Sequence, residues 1–388
     1  MSNWLTPYHL LDPSQKDFID NYRSGNPWLV GYAGSGKSIL LVHLLNRLKQ
    51  ESDRNHQGLR FGVVVFTHAL GDLFRTGFVE LGITGVPIMT QFELKRSNQS
   101  FDYLFCDEIQ DMSAETLMLI KSRAKYVVAA GDSNQSIYAK DLMTKTPTVK
   151  GDEPVSVLGA TKKELNIIYR LTQSIIAAVK KLMPNMSRNW TAKEDLTKVD
   201  VQIELRKALN VEKECSFVYD DAKSCCSRGE RTVILIPRHE QILRFVNTVL
   251  GLQNKRPWVE ESDEHGKPLY SSLNRHMERQ GIPMMYIGNK YGSLAEAQRT
   301  DKIIIMTYSS SKGLDFENVY MPFAVKGLFI TQDAALDRAT FMVAMTRSSH
   351  YLTISYTGLP TEYVDAFQSI CHFTDEGNTQ RRTTVNLW

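Results

Sequence analysis

Apolar residues fall along this chain in two rhythms. Short unbroken runs, Trp28–Val30, Phe61–Phe66, Tyr103–Cys106 and Tyr126–Ala130, each end in a polar or glycine-rich cluster. Between the first two, Leu40, Leu41, Leu44, Leu45 and Leu48 recur at helical spacing, which predicts a helix over Ile39–Gln50. A run without alternation is buried on both faces, as a strand is in a parallel sheet covered by helices. The first third therefore predicts an α/β domain. In such sheets ligands gather at the carboxyl ends of the strands, where these polar clusters lie.

The pattern recurs. Thr232–Pro237, Pro283–Ile287, Lys302–Thr307 and Tyr351–Tyr356 predict strands of a second sheet. The intervening Gln253–Gln280 is charged and polar, carries Gly266 and two prolines, and reads as a solvated surface excursion. Arg188–Asp221 is too weakly periodic to assign. The expectation is two α/β domains with parallel central sheets, residues 1–160 and 161–388.

Composition narrows the classes. At 42% hydrophobic and 23% charged residues, the chain reads as a soluble globular protein. A formal charge of +3 is too small for a polyanion-coating protein but permits local basic grooves. Five cysteines without a CxxC spacing fit a reducing compartment, and the dispersed histidines give no zinc pattern. With no apolar run of membrane-spanning length and no signal-like N-terminus, the expected location is the cytoplasm, with no membrane partner.

The chemistry concentrates in three clusters. Strand, then Gly31-Tyr-Ala33-Gly34-Ser35-Gly36-Lys37-Ser38, then helix, is a complete P-loop. Its backbone N–H groups and helix N-terminus suit phosphate oxygens, Lys37 would reach the β- and γ-phosphates, and Ser38 would ligate magnesium. The cofactors expected are ATP and Mg2+. In Phe105-Cys-Asp107-Glu108-Ile-Gln110-Asp111-Met112, clustered carboxylates need a cation or water around them. Asp107 fits the second metal acid and Glu108 the general base that orients water. The third cluster, Gly131-Asp-Ser-Asn-Gln135-Ser-Ile-Tyr138, offers Gln135 to the γ-phosphate region and to Glu108.

Gln15 in LDPSQKDF, GYAGSGKS, DEIQD, GDSNQSIY, LNIIYR, TYSSSKGLDFENV and VAMTRS stand in the order seen in superfamily 1A helicases, the UvrD/Rep/PcrA-like group. Over residues 11 to 348 the chain resembles that family. The resemblance implies two tandem RecA-like domains with ATP in the cleft between them. It implies Gln15 reading adenine and Tyr169 stacking on it, and Arg170 and Arg347 reaching the γ-phosphate from the second domain. Gly313 and Asp315 would contact the nucleotide, Asp315 near the ribose. Gln110 and Asp111 would relay the nucleotide state to the DNA-facing motifs. Phe66, Thr67 and His68, then Thr90 and Phe92, then Tyr138 and Thr307 would follow a single strand. The implied activity is an ATP-dependent 3′–5′ translocase or helicase on single-stranded DNA, with RNA left open.

The chain departs from that pattern. Ala139-Lys140 replace the arginine and stacking tryptophan usual after the third cluster. Ser309 replaces a histidine, Asp315 a glutamate, and Ile39 an arginine that packs on adenine. From His68 to Asp107, and from Ile287 to Lys302, there is no room for the family's accessory insertions. A second reading follows: a nucleotide-gated ATPase subunit that regulates a partner on DNA, the partner supplying accessory or nuclease functions.

Overall fold

The strand that enters the P-loop, Pro27–Gly31 (β1), has a parallel neighbour on each side. The structure, a computed structural model, describes residues 4–187, 193–194, 198–262, 269–288, 290–331 and 333–377. Two compact units divide the chain after Arg170, with Lys193 and Glu194 returning to the first.

In the first unit, Phe61–Val65 (β2), Ile88–Thr90 (β3), Phe101–Cys106 (β4), Ala124–Gly131 (β5) and Thr161–Leu165 (β6) join β1. The six-stranded sheet runs β3-β2-β4-β5-β1-β6, with every pairing parallel. Its helices are Pro13–Asn21 (α1), Lys37–Arg54 (α2), His68–Leu81 (α3), Gln91–Arg96 (α4), Ala114–Ser122 (α5) and Glu153–Leu158 (α6). Trp28, Val64, Leu104, Leu117, Ile120 and Val127 form much of the core. The stripe Leu40, Leu41, Leu44, Leu45 and Leu48 is buried, as its spacing predicts. Side-chain caps fix the helix starts beside the strand ends. Asp12 with Gln15, and Thr90 with Glu93, close capping boxes on α1 and α4, and Thr67 caps α3. Such a cap contributes about 0.5–2 kcal/mol. The first unit runs past the boundary expected near residue 160, because β6 belongs to its sheet. That strand, Thr-Lys-Lys-Glu-Leu, is exposed except at Leu165. A polar edge strand gives no hydrophobic signal. A two-residue parallel pair, Ile167–Ile168 (β7) and Lys193–Glu194 (β8), follows it.

The second unit is built on Glu204–Ala208 (β9), Thr232–Ile236 (β10), Met284–Tyr286 (β11), Ile303–Thr307 (β12), Phe316–Met321 (β13), Ser348–Thr357 (β14) and His372–Asp375 (β15). This seven-stranded sheet runs β11-β12-β10-β13-β14-β9-β15, again parallel throughout. Its helices are Gln173–Leu182 (α7), Pro184–Ser187 (α8), Val211–Ser227 (α9), His239–Leu252 (α10), Tyr270–Arg279 (α11), Leu294–Arg299 (α12), Ala334–Met345 (α13) and Glu362–Asp365 (α14). The stretch left unassigned in the sequence holds β9 and most of α9; residues 188–192 and 195–197 lie outside the described residues. No helix among the described residues is long and apolar enough to cross a membrane.

The excursion Gln253–Gln280 is not simply a solvated loop, although residues 263–268 of it lie outside the described residues. Trp258 is buried, with its indole N–H donating to Ser272 Oγ at 3.1 Å. Helix α11 buries Tyr270, Leu273 and Met277, one apolar stripe at helical spacing, in the same core as α10 and β10. The charged majority of the segment masked those positions. Leu273→Ala should lower unfolding stability by about 2–5 kcal/mol in a denaturant titration. A solvated excursion would lose almost nothing.

Candidate functional site

Because every strand of the first sheet points the same way, the ends of β1, β4 and β5, neighbours in the sheet, share one edge. Gly34 and Gly36 take φ of +78° and +88°, backbone that favours glycine, where the P-loop turns into α2. A Cβ on Gly34 would meet Arg170 Cβ at 2.6 Å. Ala33 and Ser35 are buried in the loop, and among the described residues the Ser35 hydroxyl has no hydrogen-bond partner. Lys37, the first residue of α2, is buried and donates from Nζ to Gly31 O at 2.5 Å and Tyr32 O at 3.1 Å. Burial pushes its ammonium down from the ordinary lysine range, against the pull of Asp132, Glu108 and Asp107, with the Arg170 charge adding to the depression.

Ser38 Oγ donates to Asp107 Oδ2 at 2.5 Å. A hydroxyl and a fully buried carboxylate in contact are the hard oxygen donors that a magnesium ion takes. Burial first, then the neighbouring Glu108 charge, raises the Asp107 carboxyl above the usual range. Glu108 stands at φ +56°, in the left-handed region for a side chain that rarely adopts it, and its N–H donates to Asp107 Oδ1 at 2.9 Å. Gln110 Nε2 donates to Glu108 Oε2, and Gln110 Oε1 accepts the Asp132 N–H at 3.1 Å. Gln110 thus ties the end of β4 to the end of β5. Asp111 Oδ1 accepts from Ile137 N and Ser136 Oγ. Gln135 is buried and donates to Asp132 Oδ2 at 2.7 Å. Gln110 makes a contact to Glu108 of the kind expected of Gln135.

Gln15 and Tyr169 meet the same loop. Gln15 Nε2 donates to Ser35 O at 3.2 Å, while its Oε1 accepts the Asp12 N–H. Tyr169 donates from its hydroxyl to Asp12 Oδ2 at 2.5 Å, and the Tyr169 and Arg170 N–H groups both bond Gly34 O. Arg170, expected from the second domain, belongs to the first unit and lies against the P-loop.

Of the residues expected to follow a single strand, those in the first unit lie at or beyond the ends of β2, β3 and β5. Phe66 is buried with its ring 5.0 Å from that of Tyr138, whereas Phe92 is 40% exposed. Of the two phenylalanines, Phe66 is the core aromatic and Phe92 the open face. Thr90 and Thr67 spend their hydroxyls on helix caps, with His68 opening α3, and Ala139 and Lys140 are exposed. In the second unit, Thr307 ends β12 and shares a hydrogen bond with Ser310 Oγ at 2.8 Å. Gly313 has φ +78°, and Asp315 pairs with Arg231 at 3.2 Å. Arg347 is almost wholly buried, donating to Val343 O, Leu314 O and Thr346 Oγ1.

Residues 29–282 match the family model of the viral superfamily 1 RNA helicase core domain, well over half of the chain. The chain belongs to the superfamily 1 helicases. Residues 270–358 of this helicase match the UvrD-like helicase C-terminal domain. A solved complex of arterivirus nonstructural protein 10, a helicase, with DNA is similar at 14% identity and a TM-score of 0.41; the match covers 92% of this helicase and 65% of that chain. The C-terminal domain of a possible DNA helicase from Lactobacillus plantarum is similar at 16% identity and a TM-score of 0.33, over 53% of this helicase and 98% of that domain. This helicase therefore spans less than two thirds of the arterivirus chain, and likenesses this distant carry no argument about its chemistry. No curated protein matches it.

Two residues of the site escaped the sequence reading. Asp132 lies close enough to Lys37 to pull on its charge, yet in Gly-Asp-Ser-Asn-Gln it reads only as a turn residue. Asp12 holds Tyr169, and its signal was the D-x-x-Q spacing of a capping box before α1.

Proposed function

We propose that this helicase hydrolyses ATP at the first-unit P-loop and uses the cycle to move along single-stranded DNA. The observation that carries this reading is the meeting of Ser38 and Asp107 at 2.5 Å, with Lys37 and Glu108 beside them. Lys37 and the backbone of Gly31–Gly36 would hold the phosphates, and Ser38 and Asp107 would hold magnesium. The ion would neutralise charge building on the phosphoryl oxygens. Glu108, oriented by Gln110, would take the proton of the attacking water. Gln15 and Tyr169 would bind the adenine, with Gly313 and Asp315 at the ribose. Arg170 would stabilise the transferred phosphoryl from within its own unit, while Arg347 would exchange its carbonyl partners for phosphate when the second unit closes. Phe92 would be the stacking face for a base, backed by Phe66 and Tyr138, with Thr67, His68, Thr90 and Thr307 along the same strand. The proposed polarity is 3′–5′.

The test is ATP turnover by the purified chain alone, then with single-stranded DNA, single-stranded RNA or duplex. Activation by single-stranded DNA above the other two is the expected result. Turnover indifferent to every nucleic acid would overturn the motor and leave the partner-gated ATPase. Ala139-Lys140, exposed where the family stacks a tryptophan, is the observation that favours that second reading.

A further inference from the structure

Asp141 is fully buried three residues beyond Tyr138, and among the described residues no cation pairs with it. A buried carboxylate must then be satisfied by neutral donors. Five serve it. Oδ1 accepts from Met143 N at 2.6 Å, Thr144 N at 3.3 Å and Gln91 Nε2 at 3.2 Å. Oδ2 accepts from Ser113 N at 2.8 Å and Thr116 Oγ1 at 2.6 Å. The first two are the bonds that any aspartate makes in its own turn. The other three come from α4, from the exit of the acidic cluster and from α5, which a turn does not require.

Gln91 is the unusual member. It stands between Thr90 and the exposed Phe92 and is 1% exposed. Its Nε2 goes to Asp141, while its Oε1 is buried and, among the described residues, without a hydrogen-bond partner. An orphaned buried oxygen is a desolvation cost that leucine, of similar size, would not carry. Packing alone does not ask for glutamine here. On the other side of Asp141, Ser113 follows Met112 and Asp111. Asp111 holds Ile137 N at 3.2 Å, and Gln110 holds Glu108. The loop carrying Asp141 is fastened to the same segment by Val149 N to Met112 O at 2.9 Å, and is closed on itself by Thr148 Oγ1 to Tyr138 O at 2.8 Å. Hydrogen bonds from Gln91 through Asp141 to Ser113, the backbone from Ser113 back to Gln110, and the Gln110 bond to Glu108 thus run from the chain neighbour of Phe92 to the general-base candidate.

We propose that Gln91 and Asp141 form a positioning link through which a strand seated on Phe92 sets the geometry of Glu108. This rests on the single-strand motor reading above. Both residues act through others and touch neither nucleotide nor base. Coupling between two sites is reciprocal, so the link also makes nucleotide state change the affinity for the strand.

The test compares wild type with Gln91→Leu in three measurements: thermal melting, ATP turnover without nucleic acid, and turnover with saturating oligothymidylate. The variant is expected to melt at or above the wild-type temperature and keep its basal turnover, while the activation ratio falls about five-fold or more. A residue that only supported the fold would lower melting and basal turnover together and leave the ratio unmoved. Asp141→Asn should lose the same activation, and the double variant should lose no more than either alone. Wild type and Gln91→Leu equally activated would overturn the link and leave the motor intact. A wild type that no nucleic acid activates would remove the motor reading and the link with it.

Discussion

Glu108→Gln is expected to bind ATP as tightly as wild type, or more tightly, while steady-state turnover falls about 10²- to 10⁴-fold, the range a positioned general base contributes. The substitution keeps the length of the side chain and leaves an oxygen for Gln110 Nε2, so the bridge from Glu108 through Gln110 to the Asp132 N–H survives. Glutamine is no worse than glutamate at φ +56°, so the backbone gives no separate reason for loss. What disappears is the basic lone pair, together with a negative charge near the phosphate site. A fluorescent nucleotide titration and phosphate release, measured on one preparation, separate the two effects. Normal turnover would place the base elsewhere.

Lys37→Ala removes the other sign of charge. Its ammonium stands over the loop on the carbonyls of Gly31 and Tyr32, buried at a cost that shows in its depressed proton affinity. Folding does not need it there, since alanine suits a helix start and buries no charge. Nucleotide binding is expected to weaken about ten-fold or more, the worth of a hydrogen bond to a charged group. Turnover should fall a further hundred- to thousand-fold, as it does when a donor to developing charge is lost. Thermal melting at or above that of wild type, beside absent phosphate release, would confirm that the lysine serves the ligand. A collapse in melting would make it structural.

Legibility followed burial. β2, β10 and β12 are buried along their whole length, so their apolar runs were plain in the sequence. β6, β9 and β15 lie at or next to sheet edges, carry charged or polar residues, and left no periodic trace. Helix α11 was hidden for another reason: its apolar stripe sits in a segment whose charges dominate any average. The P-loop and the acidic cluster were each legible because the spacing within each is local, and the structure sets Ser38 against Asp107. Position in space was not legible. Nothing in LNIIYR says that Arg170 folds onto Gly34, a contact decided by tertiary packing. Asp141 likewise looks like any solvated turn residue until its donors are seen.

The strand orders carry a consequence for how the chain is made. In the first sheet β1, the earliest strand to leave a ribosome, is seated between β5 and β6, the last two of that sheet. The second sheet repeats the arrangement, with β9 seated between β14 and β15. Each unit must therefore hold its opening strand unpaired until nearly all of the unit has been synthesised. Such distant pairings are slow to form, and they leave apolar edges open to aggregation meanwhile. Nascent chains stopped before Leu165 would own every residue of the phosphate loop yet lack one of the walls that shape it. Assembly of this machine is bound to the completion of its units, not to the emergence of its motifs.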